Sequence, residues 1–295
     1  MGSAPVLAAT AIVSLQVGAG LAGRLFGVVP PAALTGVRLW AAAVLIGIIG
    51  ARGVRAAAAT HPVRERWRDW LVVAAFGLTL ALMNYSIYQA FARIPLGVAV
   101  TIEFLGPLAV AVASSRRLVD LLWVALAAAG VLLLGEGGTG AARGAPHSHG
   151  LELAGAGFAL LSAGCWAAYI MLSRATGRRF TGSSGLVIAM IIAAVAVTPA
   201  AVAAGGARLL RPEVLGIGVA VGLLSSVIPY WLELETLRRV PARVFGIWMS
   251  LEPAIAALIG LILLGEVLGA VEWLAIACVV VASAGAARQA RPPIA

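Results

Sequence analysis

The chain has 295 residues, 62% of them hydrophobic and only 11% charged, with a mean hydropathy of +1.02. A soluble domain carries roughly a quarter charged residues, so this composition excludes a water-coated globule and makes lipid the solvent for much of the exterior. The net charge of +9 rests on 21 basic residues, all arginine, placed in short gaps between apolar runs, which fits membrane topology and excludes a nucleic-acid-binding face.

A spanning helix needs about 20 apolar residues, and the apolar runs predict ten, at about 5–23, 32–51, 70–92, 96–114, 119–135, 151–173, 184–204, 214–237, 241–264 and 267–287. The first carries Gln16 and the run Gly18-Ala19-Gly20-Leu21-Ala22-Gly23. That run fits a dinucleotide fingerprint, but no βαβ unit surrounds it, so it reads as a close-packing helix face. With no basic stretch ahead of it and more spans behind, this run reads as an uncleaved helix. The second span carries Arg38, the third Asn84, Tyr85, Tyr88 and Gln89, and the fourth Glu103 with Pro107 just after it. The fifth ends in a Gly-rich linker over residues 136–150, which separates a first unit, 1–135, from a second, 151–295. Its His147 and His149 lack the further ligands a metal site needs.

The sixth span carries Cys165, Trp166 and Tyr169, and the eighth Ser225, Ser226, Tyr230, Glu233 and Glu235. The ninth carries Glu252 beside Pro253, and Glu266 and Glu272 are expected at the outer interface. Cys165 and Cys278 sit in apolar runs and read as small hydrophobes. The sequence contains no Walker motif and no Ser/His/Asp or Cys/His set. It therefore predicts a protein that is not an enzyme and uses neither cofactor nor metal.

Arginine placement predicts orientation. With the N-terminus inside, internal segments hold 15 arginines and external loops hold 5, with Arg38 left inside a span. Both termini are thus expected in the cytoplasm. The halves also repeat: Arg93-Ile94-Pro95 matches Arg239-Val240-Pro241, and Leu105-Gly106-Pro107 matches Leu251-Glu252-Pro253 at one shift. Five helices per repeat is an odd number, so the second copy enters the membrane inverted, a common transporter plan.

An ionisable group within a span costs about 2.5–3.5 kcal/mol on insertion scales, which makes such groups the candidates for substrate or proton binding. They are Glu252, Glu103, Arg38 and Glu233, with Asn84, Tyr85, Tyr88, Gln89, Trp166, Tyr169 and Tyr230 as polar or aromatic lining. Glu103 reads either as a working carboxylate or as the neutralising partner of Arg38. Each glutamate lies within a turn of a proline that cannot bond the carbonyl four residues back, which predicts breaks at Glu103 and Met249. A cavity lined by spans 1, 3, 4, 6, 8 and 9 is expected there.

Met83-Asn84-Tyr85, Ile94-Pro95-Leu96-Gly97, Glu103-Phe104-Leu105-Gly106-Pro107-Leu108, Ser114-Ser115-Arg116-Arg117 and Met249-Ser250-Leu251-Glu252-Pro253-Ala254 resemble the drug/metabolite transporter superfamily. Within it, the chain resembles the EamA family and its threonine/homoserine exporters, as does the Gly265-Glu266 pair after the ninth span; the corresponding place in the first half has Arg116-Arg117 before Asp120 instead. The resemblance implies an all-α fold of ten transmembrane helices in two inverted five-helix repeats, in a bacterial inner membrane. It also implies export of small metabolites such as amino acids, coupled to protons. A multidrug carrier, another metabolite carrier or an importer of the same superfamily stays open. Glycine-rich helix faces fit packing within one chain or between two copies.

Overall fold

The computed structural model describes residues 3–60, 66–113, 120–137, 152–180 and 183–289. Among these it is helical throughout, with no strand. In chain order the helices are α1 (Ala4–Leu25), α2 (Pro31–Thr60), α3 (Trp67–Phe91), α4 (Leu96–Glu103), α5 (Leu105–Ala113), α6 (Asp120–Gly137) and α7 (Leu153–Gly177). They continue as α8 (Ser184–Gly205), α9 (Pro212–Gly222), α10 (Ile228–Leu237), α11 (Ala242–Met249), α12 (Glu252–Ile259) and α13 (Ala270–Gln289). Pairs α4–α5, α9–α10 and α11–α12 are each one broken span, so the described residues hold nine helical stretches long and apolar enough to cross a membrane. A shorter apolar helix, Leu121–Leu134, stands where the fifth span is expected. His61, His147 and His149 lie outside the described residues. The second helix overruns its predicted end and continues to Thr60, through an alanine-rich stretch of high helix propensity.

The interior is built from small residues. In lipid, helices gain little from hiding apolar surface and associate through close packing. Gly36 abuts Ala201, Gly77 abuts Ala189 and Ile192, and Gly97 abuts Ala257, with no room for a methyl group at any of the three. Helix α1 uses its glycines in the same way: Gly18 meets Ser225, while Gly20 and Gly23 meet Ile259, Leu263 and Leu264. Large side chains such as Leu78, Leu132, Leu160 and Ile262 point outward, as a lipid-facing surface requires.

The termini share a face. The Arg239 guanidinium donates to Ser3 Oγ at 2.5 Å, and Gly246 lies against Ala287 near the end of α13. The other face holds the turns at Arg24, Arg93–Pro95 and Gly265–Gly269. There the two halves of the chain are tied together: Arg24 Nε donates to the Leu263 carbonyl, and Arg93 pairs with Glu152 at 3.7 Å.

The breaks in the fourth and ninth spans follow from proline. Helix α4 ends at Glu103 and α11 at Met249, four residues before Pro107 and Pro253, whose rings leave those carbonyls unbonded. In the eighth span, Pro229 follows a widened turn over Leu223–Val227. It cannot donate to the Leu224 carbonyl, which accepts from Ser14 Oγ of α1 instead, at 2.8 Å. Helix α4 packs on α12, whereas no comparable contact joins α5 to α11 among the described residues. Helix α5 leans on α7 and α13, and α11 on α13 and α1. The fourth and ninth spans therefore touch toward the face opposite the termini and diverge toward the termini.

Candidate functional site

The polar groups gather where these spans begin to part. Arg38, buried in α2, donates from Nη1 to Tyr88 Oη of α3 at 3.2 Å, and its guanidinium stands 4.7 Å from the Tyr88 ring centroid. Its Nε has no partner among the described residues. Arg38 and Glu103 form no ion pair within 4 Å there; Glu103 Oε1 instead accepts from Ser162 Oγ of α7 at 2.5 Å. The guanidinium remains close enough to act on Glu103 through space. The reading of Glu103 as merely the counter-ion of Arg38 is not what the contacts show.

Glu252 is the first residue of α12 and is fully buried, with 2% exposure. The Gln16 side chain of α1 lies near it. An amide can only present its N–H₂ to a carboxylate, so the Gln16 oxygen is left over. Gln16 Oε1 and Glu252 Oε2 are both buried without a partner. Buried polar atoms without partners are costly, and each asks for an explanation. Glu252 also feels Glu233 and Glu103 electrostatically, and Glu233 feels Tyr230 and Tyr169. Arg38, Tyr88, Glu103, Glu252, Glu233, Tyr230 and Tyr169 thus form one connected cluster.

The remaining predicted residues make contacts outside this cluster. Trp166 packs edge-on against Phe104 at 5.2 Å, buttressing the α4–α5 break. Tyr85 stacks on Phe158, Asn84 Nδ2 is spent on the Leu80 carbonyl at 2.8 Å, and Gln89 Oε1 accepts from Arg93 at 2.7 Å near the far face. Glu235 is bound by Arg239 at 2.6 Å and by Arg238. The cluster adds Ser162 to the predicted lining, brings Gln16 of the first span to Glu252, and includes the second span through Arg38. Ser162 has no sequence signal of its own, because a lone serine in an apolar helix resembles any small packing residue. A groove of about 160 Å³, lined by Phe76, Tyr169, Ser173, Thr176 and Phe180, opens beside Tyr169 between α3, α7 and α8.

Glu266 departs from its expected place at the outer interface. Gly265 adopts a left-handed backbone, φ 71°, which turns the chain back so that Glu266 lies over Gly260. Its Oε2 accepts from the Leu96 amide at 2.8 Å, satisfying one of the donors that the start of α4 leaves open. A carboxylate from the second half thereby caps a helix of the first. Burial pushes the Glu266 carboxyl up to about 7, with the Leu96 amide opposing the shift.

Comparison with known proteins matches residues 153–287 to the EamA-like transporter family. The threonine/homoserine exporters RhtA of Salmonella typhimurium (strain LT2) and Escherichia coli (strain K12) are each 39% identical to this chain. The first alignment covers 93% of this chain and 88% of the relative, the second 95% and 90%. The chain belongs to the EamA-like transporter family. As an EamA-like protein it is a multi-pass membrane protein, consistent with its apolar helices. The uncharacterized transporter YwfM of Bacillus subtilis is 28% identical over 43% of each chain. A solved structure with 21% identity superposes at TM-score 0.64, covering 99% of this chain and 98% of that one; it speaks for the fold alone.

Proposed function

We propose that this EamA-like protein exports small zwitterionic amino acids, threonine and homoserine among them, by proton-coupled alternating access between its two halves. The observation that carries this reading is a pair of buried, half-satisfied opposite charges in one cluster: Arg38 with a free Nε and Glu252 with a free Oε2. An ammonium at Glu252 and a carboxylate at Arg38 would fill both. The 39% identity to exporters named for threonine and homoserine supports the same choice.

Helix polarity divides the work of the two glutamates. Glu252 opens α12, where the dipole favours negative charge; Glu103 closes α4, where it does not. In this reading Glu252 stays a carboxylate and holds the ammonium, while Glu103 carries the proton. The arginine asymmetry supports a bacterial inner-membrane topology with both termini on the cytoplasmic side. The divergence of α5 from α11 then faces inward, the state that loads substrate, with the Glu266 cap closing the outer side. The matching breaks at Glu103 and Met249 support two inverted repeats over 1–135 and 151–295, joined by the linker 136–150.

The test uses purified protein in liposomes with a reversed pH gradient as the only drive. Uptake of radiolabelled threonine, competed by external unlabelled homoserine, and its loss in E252Q, are the expected results. Transport of cationic dyes with indifference to both amino acids would overturn the reading in favour of a multidrug carrier.

A further inference from the structure

Ser162 lies at 0% exposure in α7, facing α3 and α4. Its Oγ is within hydrogen-bond distance of two acceptors, Glu103 Oε1 at 2.5 Å and the Met83 carbonyl oxygen of α3 at 3.1 Å. A serine hydroxyl has one proton to donate and lone pairs with which to accept. It cannot serve both acceptors while Glu103 is ionised. It serves both when Glu103 carries a proton, because the carboxyl then donates to Oγ and the serine proton is free for Met83.

The spacing is held rigidly. Gly106, just past the α4 break, lies against the Ala163 carbonyl with no room for a methyl group. That approach brings α7 onto the break and sets Ser162 beside Glu103. On the next turn, Trp166 packs edge-on against Phe104. Neither partner can swing away from the other without disturbing this contact.

We infer that Ser162 is a positioning residue that lets Glu103 gain and lose a proton in place, by turning its own hydroxyl between Glu103 and the Met83 carbonyl. This rests on the proton-coupled reading above. In the ionised state Ser162 donates to Glu103 Oε1. An arriving proton binds Oε1; the Ser162 O–H turns to Met83, and its oxygen accepts the new Glu103 O–H. Release reverses each step, so one proton enters and one leaves while serine and carbonyl are unchanged. The other ionisable groups acting on this pair are Arg38 from α2, Cys165 from α7 and Glu252 from α12, with Tyr88 of α3 bonded to Arg38. No ionisable group of α6 or α13 acts on Glu103 among the described residues.

The experiment follows proton uptake and threonine efflux together, against pH, for wild type, S162A, S162T and S162C in liposomes. S162A loses a charge-assisted donor to the carboxylate, so its profile moves toward alkaline pH by about one to two units. S162T keeps the hydroxyl and restores the wild-type profile. S162C keeps the volume but donates weakly, and moves in the same direction as S162A, which covers the case of a misfolded alanine variant. Infrared difference spectra give an independent readout: the protonated-carboxyl band that E103Q abolishes should change frequency in S162A and not in S162T. A wild-type profile and an unshifted band in S162A and S162C overturn the role of Ser162 while leaving proton-coupled export intact. A wild-type protein that moves threonine without protons overturns the coupling itself, and this inference with it.

Discussion

The fourth and ninth spans start from the same sequence plan, an Arg-X-Pro turn, eight helical residues and a break, and end with different chemistry. In the first, the carboxylate sits at the closing end of α4 and is bound by a hydroxyl that has a second acceptor. In the second, it sits at the opening end of α12, beside an amide whose oxygen is left free. A three-residue difference in where the glutamate falls places it on opposite ends of a helix dipole. In the proposed mechanism this difference decides what each glutamate does: hold a cation, or pass a proton.

The largest effect expected from breaking this contrast is in the ninth span. Removing the Glu252 charge in E252Q leaves a substrate ammonium without its counter-ion. Losing one partner of a buried charge pair costs about 2–5 kcal/mol, so threonine exchange should fall by at least about 30-fold, measured as initial rates in liposomes. Arg38 comes next. R38K keeps the charge but gives up the planar fork and its stacking on Tyr88, and should cost about tenfold for threonine. The same variant should cost much less for a decarboxylated amine of the same side chain, in a binding competition.

The outer halves of the spans can be broken sterically. Gly97 lies so close to the Ala257 backbone that any side chain collides. G97A should therefore push α4 off α12 and populate an outward-open form, read as increased distance between spin labels on the two outer turns. The smallest effect is at Glu266. Burial raises its carboxyl to about 7, so the closed cap binds a proton more tightly than an open one that returns the group to water. Closure is then favoured at low pH and weakens as pH rises from the ordinary carboxylate range through about 7. E266Q keeps an acceptor for the Leu96 amide but cannot titrate, so the same spin-label distance should lose its pH dependence.

Much of this was legible beforehand. Span positions followed from hydropathy, and the breaks at Glu103 and Met249 followed from proline, because both depend on local chemistry. The cluster's principal members were legible too, since an ionisable group in lipid must have a reason to be there. Partner identity was not legible. Whether Glu103 meets Arg38 or Ser162 depends on the rotation of α7 against α4, which Gly106 and Ala163 set and no periodicity encodes. Glu266 looked like an interfacial residue because its inward turn depends on the left-handed backbone at Gly265. Gln16 gained its meaning only when α1 was found between the π-turn of the eighth span and α12.

The division of labour between Glu103 and Glu252 is tested most directly by measuring proton uptake and threonine exchange side by side in E103Q and E252Q. The account predicts that E103Q exchanges threonine for threonine but moves no protons, while E252Q does neither. An E252Q protein that still exchanges threonine, or an E103Q protein that still couples it to protons, would contradict it.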